Sequence, residues 1–369
     1  MEALKEEVKQ LRSRVENLEF LVLSLSKHPQ LPLAAVTEVT TLATTPTTNS
    51  DGVIKTSPLP GLDSVFQPSK LPVFGNYNYN MLAELHIEED ILCLTISNNS
   101  YHLTSGSNNG EIVVFDLRKL KNNSIHQVST KLPILCLKYN RNDSMLCVCN
   151  DYIISVFSCF MDEKYEHLQN ISIHDNIVSS IIFTNDLNVF ISVSHDCTKK
   201  VYSIHENKCY HSSTFPDIIT NVQYNCVNNT YVIVAKNIKI YNFKNYQLVT
   251  TIENQDEIYH TASFNTAGTK LVSSGILTGN VKVWNCSNYD LIYSIALNQT
   301  SCVPVQFSKF NDQYIVYCKD SNNVSFIDTT NSTIVQNIGN IEEINCICHS
   351  EYCISYSTGD QKIKVYSIM

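Results

Sequence analysis

One property of this chain limits its fold more than any other: it repeats itself at a nearly fixed interval. A strand-like run begins at Ile91, Ile134, Ile177, Ile218, Ile258, Cys302 and Ile344, as in ILCLTIS, ILCLKYN, IITNVQY and INCICHS, with spacings of 40 to 44 residues. A second series ends each unit, as in IVVFDL, KKVYSI, VKVWNC and IKVYSI. It places Phe115, Phe157, Tyr202, Tyr241, Trp284, Ile327 and Tyr366 at intervals of 39 to 45 residues. The two series run in step. Between them lies another strand followed by a tight turn, as in YHLTSGSNNGE and KLVSSGILTGN, where Gly, Asn and Asp supply the turn conformations.

Self-similarity at this period marks a radial array, because one unit cannot bury its apolar face alone and must stack on its neighbours. Seven units predict an all-β domain over residues 76–369, a seven-bladed β-propeller. The last unit stops after its third strand at Met369, while the stretch NMLAELHI (Asn80 to Ile87) precedes the first unit without a partner. The expectation is that this N-terminal strand completes the last blade and closes the ring, removing the free sheet edges.

The units resemble the WD40 repeat family, whose repeat ends in an apolar-x-apolar-Trp-Asp strand, over roughly residues 80–369. The chain has one Trp and no Trp-Asp pair, although Phe115-Asp116 is close to it. His174, Ser194, Asp196 and Tyr202 resemble the family's His-Ser-Asp-Trp hydrogen-bond set. The resemblance implies partner binding at the face made by the fourth-to-first and second-to-third strand connections, around the channel. The first group of connections holds Glu89, Lys131, Asn176, Asp217, Glu257, Thr300 and Glu343; the second holds Asn108, Asp196, Thr278, Lys319 and Asp360.

Ahead of the repeats, Leu4, Val8, Leu11, Val15, Leu18, Val22 and Leu25 alternate spacings of four and three. This is a heptad with Val at every a site and Leu at every d site, a combination that favours two parallel strands. Glu7 faces Arg12 of a second copy, and Arg14 faces Glu19, so the flanking charges also favour a parallel homodimer. Residues 1–28 are therefore expected to form a dimerisation coil. Seven of the ten prolines then fall between Pro29 and Pro72, alongside the Thr-rich run Thr37 to Thr48, without apolar periodicity. Residues 29–75 read as a disordered tether.

Charge and cysteine usage narrow the function classes. The net charge is −9; the coil segment is balanced and residues 29–72 carry three acids and two bases, which leaves −8 on the repeat domain. A domain of that sign disfavours direct nucleic-acid binding and favours protein partners. There is no apolar run long enough to span a bilayer and no secretory leader, so an intracellular protein without membrane insertion is expected. The fourteen cysteines all lie beyond residue 92 within strand-like segments and read as reduced core residues. Cys147-Val-Cys149 and Cys346-Ile-Cys348-His349 have the residue types of thiolate ligands, but residues two apart on a strand share one face, where Cys packs as a small apolar side chain. The sequence contains no HExxH, paired CxxC, phosphate-binding glycine loop or G-x-S-x-G motif. No catalytic residue, metal ligand or cofactor site is expected.

The first unit and the ending STGDQKIKVYSIM also look like the propellers of Groucho/TLE and Tup1-type transcriptional corepressors, which oligomerise through N-terminal helices ahead of a Ser/Thr/Pro-rich region. That resemblance implies a nuclear scaffold holding short motifs of DNA-bound repressors. The same ending resembles Prp19-type splicing factors, although no U-box precedes this coil. A cytoplasmic adaptor built as coil plus propeller is the third possibility.

Overall fold

A computed structural model describes residues 37–38, 79–119, 124–159, 165–253, 257–296, 305–309, 311–319, 323–330, 332–339 and 344–368. The heptad positions Leu4, Val8, Leu11, Val15, Leu18, Val22 and Leu25 lie outside the described residues, as does most of the tether. Within the tether, Thr37–Glu38 pair in parallel with Cys348 and His349.

The repeat domain is seven antiparallel sheets. The inner strands, in chain order, are Ile91–Ile96, Ile134–Tyr139, Val178–Phe183, Asn221–Asn225, Tyr259–Phe264, Val305–Phe307 and Ile344–His349. Those of blades 3, 4 and 5 begin later than the periodicity suggests, while Cys302 lies outside the described residues. In blades 3 and 5 the predicted first residues, Ile177 and Ile258, instead use their carbonyls to accept from His195 and Ile276 at the end of the second strand. The third strands carry the recurrent aromatic or Ile position as expected, from Glu111–Asp116 in blade 1 to Lys362–Ile368 in blade 7.

Closure follows the predicted scheme. Tyr79–His86 lies antiparallel to Lys362–Ile368, with Tyr79 opposite Ile368 and His86 opposite Lys362. The chain's first repeat strand thus supplies the outer strand of the last blade.

What holds the ring is burial between blades. A β-strand presents alternate side chains to opposite faces, so each sheet buries both faces against neighbours. Seven apolar clusters fill seven blade interfaces. Cys93, Ile112 and Val114 of blade 1 meet Leu137, Tyr139 and Leu146 of blade 2, and the series runs on to Phe326 and Val324 against Ile347 and Tyr356. The last interface joins Leu85, Ile363 and Val365 of blade 7 to Ile91, Leu103 and Phe115 of blade 1. Cys147 and Cys149 share one cluster, and Cys346 and Cys348 another, which is the core packing expected of cysteines two apart.

Asparagines add a polar layer at the end of the inner strands. Asn98 Nδ2 donates to the Asn140 carbonyl at 2.8 Å, Asn140 Nδ2 to Leu187 at 3.2 Å, Asn225 Nδ2 to Gly268 at 2.8 Å, and Asn265 Nδ2 to Asp312 at 3.0 Å. Each bond reaches from one blade to the next, so the same turn that reverses a strand also ties two blades.

Lys199 is a buried charge within the apolar packing between blades. It occupies a third-strand position that is Ile238, Val281 and Ile363 in other blades. Its Nζ donates to Tyr231 Oη at 2.8 Å and lies 5.0, 5.2 and 5.7 Å from the ring centres of Tyr231, Tyr241 and Tyr246. Ring faces compensate part of the lost hydration; burial still lowers the amine to about 8.

Candidate interaction site

The channel face is built by the outer-to-inner and second-to-third connections, and the residues chosen from the sequence fall into distinct groups there. Asn108 and Lys131 are exposed, Lys131 with a left-handed φ of 65°, and Glu89 and Asp217 are half-buried. Asn176 is exposed and caps its own turn, its Oδ1 accepting from Ile177 N at 2.8 Å. Asp360 accepts from Thr358 Oγ1 and lies 2.9 Å from Lys362 Nζ. Lys319 is the last residue of the second strand of blade 6, opposite Asn323. Thr300 and Glu343 lie outside the described residues.

Glu257 and Thr278 are brought together. Glu257 is 2 % exposed, and its carboxylate accepts from Ile258 N at 3.1 Å, Leu277 N at 2.8 Å, and both N and Oγ1 of Thr278. This organises the blade 5 loop. Gly275 makes room for it, since a Cβ there would come within 1.9 Å of Glu257 Cδ.

Asp196 likewise works within its own blade. His174 Nδ1 lies 2.9 Å from Asp196 Oδ2 and His174 Nε2 2.8 Å from Ser192 Oγ, while Thr198 Oγ1 donates to Asp196 at 2.6 Å. Burial acts to raise the Asp196 carboxyl, but the bonds from His174 and Thr198 outweigh it and hold it well below the usual range. The expected set of His174, Ser194, Asp196 and Tyr202 is corrected in two places. The serine is Ser192, because Ser194 Oγ is turned to the Asn176 carbonyl, and Tyr202 Oη bonds Asn207 at the far end of the strand. The chain's Trp does make the family-like contact, in blade 5, where Trp284 Nε1 donates to Ser273 Oγ at 2.9 Å.

Sequence reasoning missed a second feature of this face. Five inner strands carry a β-bulge near the channel mouth, leaving Leu92, Leu135, Ser179, His260 and Asn345 without a partner in the ladder. A bulge re-aims one side chain. All but Leu92 are half-buried even though they sit on the innermost strands, so they line the mouth of the channel. A bulge leaves the spacing of the repeats unchanged, so nothing in the period reveals it.

Acids dominate the face. Glu88, Glu89, Asp90, Asp151, Asp175 and Asp217 stand against Lys131 and Lys236. The opposite face is mixed, with Arg118, Lys119, Arg141 and Lys244 beside Asp186, Glu206 and Glu351. Among the described residues no group of three or more His, Cys, Asp or Glu side chains could hold a metal ion, and no helix is long and apolar enough to cross a membrane.

Seven antiparallel four-stranded units, the last closed by an N-terminal strand and flanked by Thr37–Glu38, define a β-propeller. The family described as WD domain, G-beta repeat matches residues 81–116. That stretch runs from the outer strand of blade 7 to Asp116 at the end of the third strand of blade 1, so the matched repeat bridges the point of closure. Match and architecture together support the WD40 propeller family. No curated protein matches the chain.

Proposed function

We propose that this chain is a non-enzymatic scaffold that holds partner proteins on the channel face of its propeller, two copies being joined by the coil at residues 1–28. The observation carrying this reading is the contrast between an interlocked ring and a channel face rich in half-buried polar residues and acids. Rigid cores with chemically varied loops are binding platforms. Two propellers on long tethers would favour partners that present repeated motifs, because the second contact is then intramolecular.

The finer reading is a nuclear corepressor of the Groucho/TLE/Tup1 type. The order of parts supports it: helix, Ser/Thr/Pro-rich segment, propeller. Affinity purification from native cells with mass spectrometry, comparing the full chain with one lacking residues 1–28, tests both levels. DNA-bound repressors and histone-modifying proteins, recovered less well without the coil, are the expected result. Spliceosomal or membrane-associated partners would replace the corepressor reading, and an unchanged recovery without residues 1–28 would remove the dimer from it.

A further inference from the structure

Blades 3, 4 and 5 hold three unsatisfied polar atoms close together at the channel mouth. His195 directly follows the second strand of blade 3 and is 5 % exposed, and Asn221 opens the inner strand of blade 4 and is 8 % exposed. His195 Nδ1 and Asn221 Oδ1 have no hydrogen-bond partner, and neither has Nδ1 of the bulged His260 in blade 5. Hydrogen bonds tie these groups into one sector. Ser179 Oγ donates to the Ile219 carbonyl at 2.6 Å and lies 3.2 Å from the Val193 carbonyl, two residues before His195, and Thr220 Oγ1, just before Asn221, donates to the His260 carbonyl at 2.9 Å. Native folds leave few buried polar groups unpaired, and three in one sector at the mouth of a channel mark a place prepared for a polar guest.

The surrounding charge says which guest. Asp175 N donates to Asp196 at 3.0 Å, and Phe215 N donates to the Cys197 carbonyl at 2.8 Å, which sets the loop of Asp217 beside Asp196. Asp196 is committed to His174 and Thr198, whereas the carboxylates of Asp175 and Asp217 form no ion pair with described residues. The sector's lysines are engaged elsewhere: Lys200 donates to the Ile173 carbonyl, and Lys239 Nζ lies 5.2 Å from the Phe215 ring centre. Lys282 Nζ lies 5.8 Å from the Tyr259 ring centre, and Lys236 is an exposed base beside them. Burial holds both imidazoles down to about 4, so at neutral pH each ring is uncharged and offers one acceptor nitrogen.

We propose that this sector anchors a cationic side chain, arginine or lysine, from a peptide segment of the partner. Acceptors from Asn221 and the two imidazoles meet its donors, and Asp175 and Asp217 supply the opposite charge. An anionic side chain would meet the two aspartates, and an apolar one would leave Asn221 and the imidazoles unsatisfied, which is how a polar site rejects the wrong guest. The proposal rests on the reading of this face as an interaction surface.

The test is selection of a bead-bound library of random nonapeptides, balanced in acidic, basic and neutral residues, by the full-length protein. Arginine and lysine should be enriched in the retained peptides, and Asp175→Lys/Asp217→Lys should weaken their binding about tenfold, the effect of one hot-spot residue. Asn221→Leu should do the same. The double aspartate variant alters only loop carboxylates, so it keeps the test valid should Asn221→Leu misfold. Basic enrichment that persists in the aspartate variant would overturn the anchor. Retained peptides that are acidic or apolar and are lost in that variant would overturn the cationic guest while leaving the face as a binding surface. If no peptide is retained, both readings fall.

Discussion

Replacing Leu85 by Ala should weaken the whole ring, including blades that Leu85 does not touch. Leu85 lies in the strand that closes blade 7, is 2 % exposed, and packs with Ile363 and Val365 on one side of the closure and with Ile91 and Phe115 on the other. Truncating such a leucine removes buried methyl groups and leaves a cavity, a combined loss of about 2–5 kcal/mol. With a urea dependence of about 3 kcal/mol per molar for a domain of this size, the unfolding midpoint should fall by about 1 M. Trp284 is the only tryptophan, is largely buried in blade 5, and reports unfolding at a site remote from the change. Met81 sits on the same closing strand but is 55 % exposed, so Met81→Ala should stay within about 0.5 kcal/mol of the parent. A Trp284 transition that does not move in Leu85→Ala, or one that moves equally in Met81→Ala, would refute the claim that closure couples the blades.

Acid should destabilise the domain well above the carboxylate range. Burial pushes His349 down to about 3 and His195 to about 4, whereas the unfolded chain protonates near 6.5. Between those values the unfolded state binds protons that the folded state cannot, so stability is greatest above about pH 6.5 and falls as the pH drops, by about 2 kcal/mol per group at pH 5; His349→Phe should flatten urea midpoints measured from pH 7 to 5, and parallel curves would contradict the assignment. Gly275→Ala should force Glu257 from its pocket and lower the melting temperature by several degrees, the equivalent of about 1–3 kcal/mol for overpacking; an unchanged melting curve would show that the loop can shift freely. Exchanging Val8, Val15 and Val22 for Asp should yield monomers with an intact propeller, and a dimer persisting in light scattering would remove the coil.

The architecture was legible because burial between blades forces one strand pattern to recur, and the closure because the strand-like stretch Asn80 to Ile87 precedes the first unit without a partner of its own. Details that depend on where a strand bends were hidden. Ser192 and Ser194 are two apart on one strand and so share a face; spacing could not choose between them, and the bond from His174 does. Inner strands starting at Asn221 or Tyr259 rather than at Ile218 or Ile258 reflect which carbonyls the adjoining loops use. The sector at His195, Asn221 and His260 joins residues separated by 26 and 39 positions in the chain. Only the curvature of the ring brings them together, and no local motif marks them.

The central claim is that partners are held on the acidic channel face, and quantitative affinity purification with paired charge reversals tests it most directly. Asp175→Lys/Asp217→Lys alters the channel face; Glu206→Lys/Glu351→Lys makes the same charge change on the opposite face, at exposed positions. The account predicts loss of the principal partners from the first variant and retention by the second. Equal recovery by both, with both folded, would contradict it.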